Sequence, residues 1–155
     1  MTVLDTRPHL VRYEVRCDKA GWTKEVVVST QLGEVRQRLQ LEVDDEQRWW
    51  RGGQEVSTLR DLVDVDLGVT PATNTLPIRR WGLGSGESRE VTAAWVKFPE
   101  LILERLPQRY TRLSERRYRY ESEGFIAEIE TDEVGLIEHY SDGWVVEAAC
   151  DNAGE

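Results

Sequence analysis

Few residues of this sequence have the types and spacing that catalysis requires. The two histidines, His9 and His139, lie far apart, and Glu138 falls on the opposite side of a predicted strand from His139, which weakens that pair. Asp64 and Asp66 share one face of a strand, where two carboxylates can serve acid–base chemistry. A solvated face beside a turn is the simpler interpretation. A hydrolase acting through Asp64, Asp66 or His139 would need a perturbed pKa and a cleft at those positions.

Motifs for nucleotide and metal chemistry do not appear. The Gly-rich segment 82–86 lacks the lysine and the helix start of a phosphate-binding loop. Cys17 and Cys150 form no Cys-x-x-Cys pair and have no histidines at zinc-ligand spacing. We therefore expect no catalytic residue, no metal and no cofactor, and two reduced structural thiols.

The tryptophans suit binding better than catalysis. Each joins broad apolar faces to one N–H donor, which fits sugar rings and acyl chains alike, although core packing is the default interpretation for each one singly. Trp49 and Trp50 are adjacent on a predicted strand and must face opposite sides, so one of them is expected outside the core. The candidates are Trp49, Trp50, Trp81, Trp95 and Trp144.

The segment around Asn74 offers groups for the polar end of a ligand. Pro77 stiffens the chain before Arg79 and Arg80, and a guanidinium on a rigid loop can fork onto a phosphate or carboxylate. We hypothesise that Arg79 or Arg80 meets the polar end of a ligand. For Asn74 and its threonine neighbours, a hydrogen-bonded corner that closes the sheet is the structural alternative.

The elements that position these residues follow a period of two, which indicates strands with one dry and one wet face. Gly52-Gly53 suits a two-residue hairpin turn because both positions accept positive φ. Strands are predicted at 11–17, 22–30, 34–43, 48–51, 54–56, 91–98, 101–106, 117–122, 125–131, 136–140 and 144–148.

The stretch 57–81 interrupts this rhythm. A helical turn near Leu59 precedes a short alternation, after which Pro71 and Pro77 exclude the middle of a sheet and force an irregular path. Pro107 is predicted as a turn that ends a later strand.

No helical stretch is long enough to cover a sheet face. A large antiparallel sheet must then bury its apolar side by curling, which leaves a groove where the inner residues do not fill it. The predicted class is all-β, with little helix. We expect a single domain over 1–155, formed by a large curved antiparallel sheet that makes an open, unclosed β-barrel.

Composition argues against several classes of partner. The formal net charge is −9, from 29 acidic and 20 basic residues, so nucleic acid is not an expected partner. Arginines cluster between 105 and 119, and solvated side chains explain them more simply than a binding patch. The chain has no apolar run of membrane-spanning length and no apolar leader, so we expect a cytoplasmic protein without an integral membrane segment.

Residues 65–80, Val-Asp-Leu-Gly-Val-Thr-Pro-Ala-Thr-Asn-Thr-Leu-Pro-Ile-Arg-Arg, closely resemble the signature of the bacterial putative glycolipid-binding family, formerly a domain of unknown function. Further matches lie at 96–101, 108–111 and 118–120, and with Cys17-Asp18 they extend the resemblance over nearly the whole chain. The resemblance implies a partly open barrel, similar in outline to the periplasmic carriers of lipoproteins, with ligand binding and no catalysis. Because members of that family usually carry more sequence before the Cys-Asp strand, it also implies a sheet edge that is open or filled by a partner chain.

The leading hypothesis is a non-catalytic binder that holds a lipid, a glycolipid or a similar amphipathic small molecule in the concave face of the sheet. The acyl chain is expected against Val35, Leu39, Leu41, Trp95, Leu101 and Leu103. The candidate ligand-binding residues are Arg79, Arg80, Asn74, Trp49, Trp50, Trp81, Trp95 and Tyr110. The alternative is a protein interaction module or homodimer that uses an open sheet edge and an exposed tryptophan. An interior packed solid by the protein's own side chains, with no groove opening to water, would exclude the first hypothesis.

Overall fold

A computed structural model describes residues 9–140 and 144–145, which form twelve strands in two sheets, one α-helix and two 3₁₀ helices. The strands are β1 (His9–Cys17), β2 (Thr23–Leu32), β3 (Val35–Val43), β4 (Trp49–Arg51), β5 (Gln54–Glu55), β6 (Val65–Leu67), β7 (Ser88–Lys97), β8 (Ile102–Ser114), β9 (Arg117–Ser122), β10 (Phe125–Thr131), β11 (Ile137–Tyr140) and β12 (Trp144–Val145). The helices are 3₁₀ turns at Ser57–Leu59 and Pro71–Asn74 and the α-helix α1 at Thr75–Trp81.

The first sheet is an antiparallel meander of β1 to β5 in chain order, as the alternating pattern predicts. Gly52 and Gly53 have φ values of 56° and 78°, which are the conformations that a tight turn between β4 and β5 requires. The side chains Leu39, Leu41 and Val43 lie on its buried face.

The second sheet has the order β12-β11-β10-β9-β8-β7-β6 and curves into an open half-barrel. The predicted class, a mostly β protein with an open curved sheet and little helix, is therefore confirmed. One pair departs from the antiparallel pattern, because β6 lies parallel to β7. The helical stretch between them provides the crossover that a parallel pair needs.

The main core lies between the two sheets. Val65 and Leu67 of β6, with Ala94 and Val96 of β7, pack against the first sheet through Leu41 and its neighbours. The expected lining of an acyl chain is therefore wrong for most of its members. Side chains of the protein itself fill that space, since the two apolar sheet faces bury each other.

The six residues expected to line the acyl chain differ in how deeply they are buried. Leu39 and Leu41 are fully buried in the core, and Leu101 is buried there too. Leu103 is half-buried against it, whereas Val35 is 58% exposed. Of these six residues, Trp95 alone, on the opposite face of β7, lines a groove.

Helical structure replaces the irregular path predicted around the two prolines. Pro71 is the first residue of a 3₁₀ helix, and Pro77 is the third residue of α1. N–H groups in the first turn of a helix have no acceptor within the helix, so a proline there costs no hydrogen bond and both prolines are tolerated. Ile78 then covers part of the concave face of the second sheet, where it packs among Tyr110, Tyr118 and Ile129.

Pro107 does not end a strand but lies within β8, opposite Thr92 of β7. Strand β9 pairs with β8 only from Arg109 onward, so Pro107 has a neighbour on one side alone. A residue without an N–H group is acceptable where one side of the strand is unpaired.

The strands predicted at 117–122 and 125–131 have the same first and last residues as β9 and β10. The strand predicted at 144–148 is present at Trp144–Val145, and its remainder, like Cys150, lies outside the described residues. Among the described helices, none has the length and apolar character needed to cross a membrane.

Candidate functional site

A groove of about 700 Å³ opens on the concave face of the second sheet. Side chains of β6 alternate between the two faces of the sheet. Val65 and Leu67 point into the core, whereas Asp66 points into the groove beside Trp95 of β7 and forms its floor. Its lining is Asp66, Leu67, Gly68, Val69, Thr70, Pro71, Asn74, Trp95, Leu106, Tyr120, Ser122, Glu123, Phe125 and Tyr140.

Aromatic rings form much of this lining. Tyr120 meets Phe125 edge-on at a centroid distance of 6.2 Å, and Phe125 stacks on Tyr140 at 6.4 Å with an interplanar angle of 16°. Trp95 contributes a fourth ring to the lining. Such rings offer broad apolar faces together with polar edges, which suits a ligand that is itself amphipathic.

Asp66 is the polar group on the floor of the groove. Its Oδ2 accepts hydrogen bonds from Gln108 Nε2 at 2.5 Å and from the Tyr120 hydroxyl at 3.4 Å. No described hydrogen bond uses its Oδ1. Burial raises the pKa of Asp66 above its ordinary value, against the two hydrogen bonds that favour the charged form.

Behind the floor, a hydrogen-bonded chain fixes these side chains. Asn74 Nδ2 donates to the Tyr110 hydroxyl at 2.7 Å, and that hydroxyl donates to Gln108 Oε1 at 3.4 Å. Because Gln108 in turn donates to Asp66, the chain joins the second 3₁₀ helix to the groove. Burial raises the pKa of Tyr110 well above its ordinary value, so its hydroxyl stays neutral and can donate.

The two arginines singled out in the sequence make other contacts. Arg80 forms a bidentate ion pair with Asp64, at 2.7 Å and 2.6 Å, and so ties α1 to the start of β6. Arg79 is exposed, and its stem packs on the turn between β10 and β11 at Gly135. Neither guanidinium lines the groove.

The neighbouring residues Trp49 and Trp50 face opposite sides of β4, as predicted for adjacent residues of a strand. Trp49 is fully buried and donates to the carbonyl of Leu62 at 3.0 Å, whereas Trp50 faces the other side, half-buried, and donates to Asp44 Oδ2 at 3.0 Å. Trp50 borders a depression of about 670 Å³ on the outer face of the first sheet. That depression is separate from the aromatic groove.

Trp81 and Tyr110 stand behind the groove. Their rings meet edge-on at 5.5 Å, and the guanidiniums of Arg80 and Arg89 lie over the Trp81 ring at 5.6 Å and 5.4 Å. The side chain of Trp144 lies outside the described residues. Of the candidate ligand-binding residues, Asn74 and Trp95 therefore line the groove.

Three aromatic residues of the groove, Tyr120, Phe125 and Tyr140, are not among the candidates that the sequence provides. Phe125 begins β10 directly after the two-residue turn, Tyr120 of β9 lies opposite Ala127, and Tyr140 of β11 lies opposite Ile129. The register of these strands therefore places the three rings on one face. The spacing of Tyr118 and Tyr120, two residues apart on a predicted strand, indicates in the sequence that both rings lie on one face of the sheet. For Asp66 the sequence leaves two interpretations, an acid–base pair with Asp64 or, more simply, a solvated acidic face.

The interpretation of the acidic pair as a solvated face is wrong. Asp64 is 2% exposed and neutralised by Arg80, and Asp66 is half-buried in the groove. The hydrolase hypothesis required a perturbed pKa within a cleft, and Asp66 meets both conditions. His139 is exposed, lies opposite Glu130 in the ladder between β10 and β11, and does not line the groove.

The arginines between 105 and 119 are largely engaged on the protein's own surface. Arg105 donates to the carbonyl of Thr58 at 2.9 Å, and Arg117 pairs with Glu128 at 2.5 Å. This agrees with the simpler interpretation of that cluster.

By fold and site, the protein is an open β half-barrel that presents an aromatic groove with a half-buried carboxyl group on its concave side. The model of the family described as Putative glycolipid-binding matches residues 1–145, and the chain belongs to that family. A similar solved structure is a DUF1089 family protein from Pseudomonas aeruginosa, 33% identical, with a TM-score of 0.80 over 86% of this chain and 75% of that chain. No curated protein matches the chain.

Proposed function

We propose that this protein binds an amphipathic small molecule, of the lipid or glycolipid kind, in the aromatic groove and releases it unchanged. The observation that carries the proposal is the groove itself, about 700 Å³ in volume and walled by rings from four strands. Pockets that hold small molecules are concave and mostly apolar with a few fixed polar groups, and their volumes are about 300–1,000 Å³.

The groove can treat the two ends of such a ligand differently. Trp95, Phe125 and Tyr140 supply apolar surface, while Asp66 and Asn74 supply polar atoms held by the hydrogen-bonded chain behind the floor. The polar end of the ligand is therefore expected at Asp66 rather than at Arg79 or Arg80. Rigid support of this kind reduces the entropy lost on binding.

The test compares two neighbouring side chains of β10. Phe125 lines the groove and is 39% exposed, whereas Ile126 points to the other face and is 64% exposed. With the neutral fluorescent probe N-phenyl-1-naphthylamine, we expect Phe125→Ala to weaken binding several-fold and Ile126→Ala to leave it unchanged. Equal effects of the two substitutions, or no probe binding, would contradict groove binding.

Catalysis is the competing use of a carboxyl group in a cleft. If Asp66 were a general acid, 4-nitrophenyl glycosides or esters would be cleaved by the wild-type protein and not by Asp66→Asn. We expect no difference between the two proteins in release of 4-nitrophenolate. Hydrolysis by the wild-type protein that is lost in Asp66→Asn would contradict the binding proposal and indicate a hydrolase.

A second candidate function is self-association through β1, an edge strand of the first sheet in the part of the chain that the structure describes. If a second copy pairs antiparallel with Tyr13 opposite Tyr13, then Arg12 of each copy faces Glu14 of the other. Leu10 and Tyr13, both exposed, would be covered by this pairing. Charge complementarity and exposed apolar side chains on one edge favour a second copy as the occupant.

Sedimentation velocity tests this candidate. Glu14→Arg would set like charges opposite each other and should shift the protein toward monomer, whereas Asp45→Arg, at an exposed turn elsewhere, should not. A monomer at every concentration in the wild type would rule the candidate out.

A further inference from the structure

The charged residues that line the groove are both acidic. Asp66 lies on the floor and Glu123 at the rim, while the lining contains no lysine, arginine or histidine. We propose that the polar end of the ligand is a cation, an amine or a quaternary ammonium group, seated on Asp66 between aromatic rings. The proposal rests on the proposed function and specifies which ligands the same groove accepts.

Asp66 has no cationic partner among the described residues. The basic side chain bound to the neighbouring acid, Arg80, directs both of its terminal nitrogens to Asp64. The two hydrogen bonds to Asp66 converge on Oδ2 and come from neutral groups, Gln108 and Tyr120. A carboxylate on the floor of a groove without a compensating charge attracts a ligand that brings one.

The rings around Asp66 suit a cation as well. Trp95, Tyr120, Phe125 and Tyr140 line the same groove, and aromatic faces attract cations through their quadrupole, with tryptophan the strongest. The Lys97 ammonium lies 5.0 Å from the centroid of the Trp95 ring and pairs with Glu104 at 3.5 Å, so Trp95 already takes part in one cation contact within the protein. Aromatic cages with a nearby acid are a recurrent solution for ammonium recognition.

An anionic headgroup would meet the opposite environment. A phosphate beside Asp66 and Glu123 would face two like charges with no guanidinium or ammonium in the lining to offset them. A neutral sugar could donate hydroxyl hydrogens to Asp66, so a preference for the sugar is an outcome that the experiment must separate from a preference for the cation.

The experiment uses three probes with one tail and different heads: octyltrimethylammonium, octyl glucoside and octyl phosphate. Each competes with N-phenyl-1-naphthylamine below its micellar concentration. We expect the ammonium probe to bind most tightly and the phosphate probe most weakly. Asp66→Asn should weaken the ammonium probe at least about tenfold and the glucoside less than about threefold, because only the cation loses its counter-charge.

Two further variants make the result decisive. Asp45→Asn removes the same charge from an exposed turn away from the groove and should leave all three affinities unchanged. Glu123→Gln, at an exposed rim position, should weaken the ammonium probe by a smaller factor without disturbing the core.

Each outcome decides between the two proposals. If the glucoside or the phosphate competes best, or if Asp66→Asn leaves the ammonium probe unaffected, the cationic ligand is excluded while binding in the groove stands. If no octyl probe displaces the fluorescent one and Phe125→Ala binds it like wild type, the proposed function itself fails.

Discussion

Asp64 and Asp66 are two residues apart, yet the fold uses their carboxyl groups in different ways. Asp64 is neutralised by a bidentate arginine, which stabilises the joint between α1 and β6. Asp66 has only neutral donors and remains available in the groove. Identity and spacing therefore do not determine the role of an acidic residue, because its partners come from distant parts of the chain.

Removing the partner of Asp64 should be costly. Arg80→Ala leaves a carboxylate buried without its counter-charge, and loss of one member of a buried ion pair costs about 3–5 kcal/mol. The adjacent Arg79→Ala, at an exposed position, is the matched control and should cost less than about 1 kcal/mol. Urea unfolding of both variants measures the difference, and equal losses would show that the ion pair does not stabilise the fold.

The raised pKa of Asp66 predicts a dependence of stability on pH. Between the ordinary value of 3.8 and the higher native pKa, the folded protein keeps a proton that the unfolded chain has released. The free energy of unfolding should therefore fall as pH rises through that interval, and this contribution should be absent in Asp66→Asn. Urea unfolding from about pH 4 to about pH 7 tests the difference between the two proteins. Parallel curves would contradict a raised pKa.

At the scale of elements, α1 is held by contacts at two sides. Arg80 joins it to β6, and Arg79 packs against the turn at Gly135 between β10 and β11. Gly135 has a φ of +87°, and a Cβ atom there would lie 2.9 Å from Arg79 Cγ. A glycine is needed at this turn both for the backbone conformation and for the approach of the helix.

Gly135→Ala should therefore destabilise the protein for two separable reasons. Backbone strain at positive φ costs about 1 kcal/mol, and the clash with the arginine stem adds to it. In an Arg79→Ala background the clash is relieved, so the loss caused by Gly135→Ala should become smaller. A double-mutant cycle from urea unfolding measures this coupling, and strict additivity would show that the contact has no effect on stability.

The elements differ in how far the sequence could reveal them. Strands with one wet and one dry face, such as β3, β9 and β10, follow from period two because each strand displays its own alternation. The sequence does not predict the helix at Thr75–Trp81, because Pro71 and Pro77 usually interrupt regular structure. In the fold both prolines lie in the first turn of a helix, where no N–H donor is needed. Pairing β6 in parallel with β7 depends on contacts between distant segments, which local patterns do not encode.

At the scale of the whole molecule, two sheets divide the apolar surface. The first sheet and the β6–β7 edge bury each other, so the core needs no ligand to be complete. The rest of the second sheet keeps its concave face, partly covered by α1 and partly open as the groove. The sequence predicted a single curled sheet with a lined interior, and it placed the cavity on the wrong surface because it did not distinguish two packed layers.

The central claim is that a guest molecule enters the groove beside Trp95, and the indole N–H signals of the six tryptophans test it directly. In ¹H–¹⁵N spectra assigned by single Trp→Phe substitutions, titration with N-phenyl-1-naphthylamine should shift the Trp95 signal progressively. The signals of Trp22, exposed elsewhere, and Trp50, on the outer face of the first sheet, should stay in place. A shift of Trp50 or Trp22 with Trp95 unmoved would contradict the account.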